Sequence, residues 1–81
     1  MIPTGLKSFL LRALGRMSPM SEAALVNASL NAFSDEVVAS DVLKALRELD
    51  TEKFVTRAND EISGATWALT TKGEHKAKQL G

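Results

Sequence analysis

Two short runs of alternating apolar and polar residues, KFVTR at 53–57 and ATWALT at 65–70, are the only convincing strands in this sequence. They limit its fold more than any other feature. The stretch between them, ANDEISG at 58–64, has the Asn, Asp, Ser and Gly of a hairpin loop, so the two runs pair antiparallel. A lone hairpin is marginal in water. Its apolar side, Phe54 from the first run and Trp67 with Leu69 from the second, must therefore be covered by helices.

Helical periodicity fills the remainder of the chain. Leu6, Leu10, Ala13, Leu14 and Met17 recur at three- and four-residue spacing, with Ser8, Arg12 and Arg16 on the opposite side. Thr4 behind Pro3 is the expected N-cap, and the proline in RMSPM ends this helix. Leu11 projects to the side of the stripe, where it can serve as a contact between two copies. Ser21 caps a second helix in which Val26, Ser29, Leu30 and Phe33 share one face, while Ala24, Asn27, Ala28 and Asn31 share the other.

FSDEVVAS at 33–40 admits two readings. Ser34 caps a long helix beginning at Asp35, or Val37 and Val38 form an extended connection and Ser40 is the cap. Adjacent β-branched valines are weak helix formers, which favours the second. In both, Val42, Ala45, Leu46 and Leu49 form an apolar stripe. Ser40, Lys44 and Arg47 face away from it, with Asp41 and Glu48 alongside. TKGE at 71–74 reads as a capping box between Thr71 and Glu74. The last helix then turns Gly73, Ala77 and Leu80 inward and Lys72, His75, Lys76 and Gln79 outward. The predicted core joins Leu10, Leu14, Leu30, Val42, Leu46, Leu49, Phe54, Trp67 and Leu69.

With 81 residues there is room for a single domain, 1–81, and the 44% hydrophobic content supplies its core. There is no cysteine, so disulfides and thiolate metal sites are excluded, and a cytoplasmic location is expected. Lys7, Arg12 and Arg16 stand where a signal peptide would be apolar, and no run is long enough to enter a membrane. His75 is the sole histidine, and the chain has no Gly-rich phosphate loop, G-x-S-x-G elbow or Cys/His pair. No metal, cofactor, small-molecule ligand or enzymatic activity is expected. The formal charge of zero is unevenly distributed: residues 1–34 and 62–81 each carry +2, and residues 35–61 carry −4.

Three helices, a hairpin and a terminal helix occur in that order, and two local stretches strengthen the pattern. VLKALRELDTEKFVTR at 42–57 is similar to the recognition helix and first wing strand of the winged helix-turn-helix family. TWALTTKGE at 66–74 resembles that family's second wing strand and its Leu-Thr-x-x-Gly step. The resemblance implies an α+β fold of three helices, a two-stranded antiparallel wing and a short C-terminal helix. It also implies a transcription-regulator-like module that binds double-stranded DNA, with helix 40–50 in the major groove and wing 58–64 on the backbone or in the minor groove. The implied contacts are Ser40, Lys44 and Arg47 on the helix and Arg57 and Asn59 in the wing, where cations neutralise phosphates and polar side chains offer hydrogen bonds. A homodimer is expected, because one helix reads only a half-site. The acidic middle keeps a second function class open, a docking winged helix that contacts a protein partner and no nucleic acid.

Overall fold

The structure, a computed structural model, describes residues 4–62 and 64–80. Its elements follow in the order α1 (Leu6–Arg16), β1 (Met20–Ser21), α2 (Glu22–Phe33), a 3-10 turn (Ser34–Glu36), α3 (Ala39–Thr51), β2 (Val55–Asp60), β3 (Gly64–Leu69) and α4 (Thr71–Leu80). The helices and the hairpin appear where the periodicity places them. The sheet gains one short strand, with order β1-β3-β2 and both pairings antiparallel.

That extra strand has a local cause. Ser21 is extended, at φ −67° and ψ 149°, and its hydroxyl oxygen accepts the Ala24 N–H at 3.1 Å. An N-cap residue sits in the β region by geometry, so the residue that starts α2 also pairs with Thr66 of β3. Two residues are too few to show a period of two, so the expected two-stranded wing becomes part of a three-stranded sheet.

Leu6, Leu10 and Leu14 of α1, Leu25 of α2, and Val42, Leu46 and Leu49 of α3 meet Val55 and Trp67 of the sheet in one buried cluster. Several expectations change here. Leu11 is buried, which removes it as a contact between copies; α4 packs along α1 and widens its covered arc beyond one stripe. Met17 lies past the helix end in extended conformation and is 65% exposed. Leu30, Phe54 and Leu69 are only partly buried, packed around the cluster rather than inside it. Leu25 and Val55 occupy interior positions that were expected to fall to their neighbours.

Three caps also move. Gly5, at φ 93°, replaces Thr4 as N-cap of α1, and its carbonyl accepts the Phe9 N–H at 2.8 Å. α3 begins at Ala39, so of the two readings the later start holds, but Ser40 is already helical. The cap residue is Val38, whose N–H donates to the Asp41 carboxylate at 3.1 Å. An acid at the third helical position does the work expected of the serine hydroxyl. At α4 the cap is Thr70 instead of Thr71: its hydroxyl oxygen accepts the Gly73 N–H at 3.0 Å and its O–H donates to the Lys53 carbonyl at 2.6 Å. The Thr of the Leu-Thr-x-x-Gly step thus ties the start of the hairpin to the start of α4.

Candidate nucleic-acid interface

Ser40, Lys44 and Arg47 recur at spacings of four and three on α3, and all three are exposed on the face opposite Val42 and Leu49. The hairpin stands beside this face. In β2 the buried Val55 shares its side of the strand with Arg57 and Asn59, because alternate residues point the same way. Asn59 pairs with Ala65 and Asp60 with Gly64, so the strands run into the stretch expected as loop and only residues 61–63 connect them. Asn59 is therefore an exposed strand residue. The Asp60 carboxylate accepts the Ile62 N–H at 2.8 Å, an Asx turn that closes the tip and leaves Ile62 95% exposed.

Arg57 is paired in register with Trp67, and the two side chains converge on one carboxylate. Glu22, in the first turn of α2, accepts the indole N–H of Trp67 at 3.1 Å, and Arg57 Nε lies 3.8 Å from the same oxygen. Arg47 and Asp50 of α3 join Glu22, Leu43, Arg57 and Trp67 around a shallow recess of ≈ 200 Å³. The fold thus brings Arg47 and Arg57 to one place from positions ten residues apart, with Lys44 and Ser40 further along the helix and Asn59 outward along the wing. Glu22 is the residue that sequence reasoning missed. Nothing local to SEAAL reveals that its first acid meets a tryptophan 45 residues away.

Three acids near the helix face, Asp41, Glu48 and Glu52, have partners away from it, whereas Asp50 stays beside Arg47 in the recess. Lys7 of α1 lies 2.8 Å from Glu48 and 3.1 Å from Glu52, and Asp41 is turned back to the α3 N-terminus. The hydrogen bond to Glu48 is the main cause that raises the Lys7 pKa against partial desolvation; the same bond holds the Glu48 carboxyl below its ordinary range. Among the described residues, neither Lys44 nor Arg47 takes part in an ion pair. Lys72, another cation near the hairpin, is committed to structure: its ammonium donates to the Glu52 carbonyl at 2.9 Å at the end of α3 and stands 4.7 Å over the Phe54 ring.

No helix among the described residues is long and apolar enough to cross a membrane. No protein-family model matches the sequence, and no curated protein matches it. Solved structures do. A MarR-family transcriptional regulator from Silicibacter pomeroyi superposes with a TM-score of 0.79 at 21% identity, over 95% of this chain and 49% of its own. BpsR of Bordetella bronchiseptica, whose DNA binding is regulated by 6-hydroxynicotinic acid, gives 0.79 at 18%, over 96% and 53%. A mutant of Lactococcus lactis ZitR in apo form gives 0.76 at 19%, over 94% and 54%. The chain spans about half the length of these structures. At such identities the likeness establishes the fold, and the fold is a winged helix-turn-helix.

Proposed function

We propose that this chain is a DNA-binding module of the transcription-regulator type, with α3 in the major groove and the β2–β3 wing on the flanking backbone. The observation that supports it is the exposed row of Ser40, Lys44 and Arg47, whose two cations form no salt bridge among the described residues while Glu48 and Asp41 are held by Lys7 and the α3 N-terminus. Lys and Arg at such positions neutralise phosphates or donate to guanine edges, and Ser40 adds a short hydrogen-bonding side chain. Arg57 and Asn59 extend the same surface along the wing. A single α3 covers a short half-site, so two copies on one duplex supply useful specificity.

The test is fluorescence anisotropy with mixed-sequence duplex DNA at two salt concentrations. Lys44, Arg47 and Arg57 neutralise about three phosphates, so affinity falls with salt along a shallow slope of roughly −3 in log–log terms. The double reversal Lys44→Glu with Arg47→Glu abolishes binding and leaves the melting temperature unchanged, because neither side chain enters the core. Absence of binding by the parent chain at low salt overturns the proposal and leaves the protein-docking function in its place.

A further inference from the structure

A second surface lies on α1, on the side turned away from α3. Lys7 points to α3, where it meets Glu48 and Glu52. Arg12 and Arg16 follow five and nine residues later, which at roughly 100° per residue puts them on the far side of the helix. Beside them Phe9, Ala13 and Met17 succeed one another at four-residue spacing. With Met20 and Ala28 they form the apolar floor of a groove of ≈ 370 Å³ that Arg12 and Arg16 also line. The same two arginines border a second groove of ≈ 410 Å³ between α1 and α4, closed by Glu74, Ala77 and Lys78. The two helices are in contact there, with Ala77 Cβ 3.5 Å from where a Gly15 Cβ would stand.

Three properties define what fits. The floor is apolar and pre-formed: Met17 is 65% exposed, and Phe9 is braced edge-on against Phe33 at 5.6 Å. The border is cationic: Arg12 and Arg16 line this groove, Lys78 and the single acid Glu74 line the adjoining one, and among the described residues none of Arg12, Arg16 and Lys78 is in an ion pair. The stripe from Phe9 to Met17 runs about 12 Å along the helix, the span of two helical turns. A nucleic-acid backbone would leave the apolar floor unused. A second copy related by a two-fold axis would bring two cationic borders into one interface, with Glu74 as the one acid of each border to offset them.

We propose that this groove docks an acidic amphipathic helix of a partner protein. The partner's apolar face covers Phe9, Ala13, Met17 and Met20, and its flanking carboxylates meet Arg12, Arg16 and Lys78. The site faces away from α3, so it can be filled independently of the surface proposed for DNA.

The probe is a labelled synthetic peptide of about three helical turns, with Leu at i, i+4 and i+7 and Glu on both flanks, titrated with the whole chain by anisotropy. Binding is expected to weaken with salt, and to fall roughly tenfold or more in Arg12→Glu/Arg16→Glu and in Met17→Glu. A peptide with Lys in place of Glu does not bind, and Lys44→Glu/Arg47→Glu leaves acidic-peptide binding unchanged. All substituted side chains are exposed, and thermal melts confirm that the variants fold. Equal binding of a scrambled acidic peptide overturns the proposal, as does retention of affinity in the arginine double variant. Concentration-dependent dimerisation that Met17→Glu dissolves gives the groove to a second copy. Loss of duplex DNA binding in the arginine variant gives it to nucleic acid. Either of these also overturns the docking of a partner helix.

Discussion

Gly73 shows how one missing side chain can decide a junction. The first turn of α4 presses on the backbone leaving α3, and a Cβ at Gly73 would overlap the Phe54 carbonyl oxygen, with Leu69 also in contact at 3.1 Å. Backbone cannot move aside as a flexible side chain can. The same carbonyl accepts the Thr70 N–H at 3.1 Å, so shifting it breaks the tie between hairpin and α4. Gly73→Ala, although it raises helix propensity, is expected to cost about 3 kcal/mol net from overpacking. That corresponds to a fall in melting temperature of roughly 12 °C or more for a domain of this size, measurable by circular dichroism. An unchanged melt would show that the close approach is absent in solution. The glycine of the Leu-Thr-x-x-Gly step has here a packing reason.

Each element ends where backbone groups find specific partners, and α3 ends in a Schellman arrangement. Phe54 N–H donates to the Leu49 carbonyl at 2.9 Å and Lys53 N–H to the Asp50 carbonyl at 3.0 Å, while Lys53 adopts φ 70°. Left-handed backbone is where glycine is ordinarily found, and a residue with a Cβ pays roughly 1 kcal/mol to sit there. Lys53→Gly is therefore expected to raise stability by about 0.5–1 kcal/mol in urea unfolding, offset in part by the greater freedom of the unfolded glycine chain. A destabilised variant would show that the Lys53 side chain contributes more than its backbone costs. This turn sets the angle between α3 and β2, and with it the distance between Arg47 and Arg57. The hairpin itself is steadied by the Glu22 carboxylate, which holds Trp67 and Arg57 from the start of α2.

Over the whole molecule, the arrangement of charge differs from its order along the chain. Residues 35–61 are acidic in sum, yet α1 reaches across to α3 and places Lys7 against Glu48 and Glu52. Glu48 has its carboxyl pKa lowered and Lys7 its ammonium pKa raised, so the pair contributes above the usual carboxylate pKa and below the usual lysine pKa. It is lost as pH falls through the depressed Glu48 value or rises through the elevated Lys7 value. At neutral pH it is intact. Lys7→Met exposes two uncompensated carboxylates beside the α3 face and, if the chain binds duplex DNA as proposed, is expected to weaken that binding roughly two- to fivefold. Adding Glu48→Gln and Glu52→Gln restores the affinity. Unchanged binding in Lys7→Met would place the DNA beyond reach of those acids.

By itself the sequence determined the elements, because a period near 3.6 or 2 is written in consecutive residues and needs no distant partner. The stripes Leu6–Leu10–Leu14 and Val42–Leu46–Leu49, the hairpin and the Ser21 cap are of this kind, and so is the row Ser40–Lys44–Arg47. Tertiary structure decided whatever depends on a neighbour remote in the chain. It buried Leu11, added Met20–Ser21 to the sheet and seated Trp67 on Glu22. It also joined Glu48 to Lys7, so that on a face that reads as acidic in one dimension Lys44 and Arg47 form no salt bridge among the described residues. Local periodicity records which side of an element is apolar, whereas the partner that covers that side or neutralises its edge is fixed only when the helices close on the hairpin.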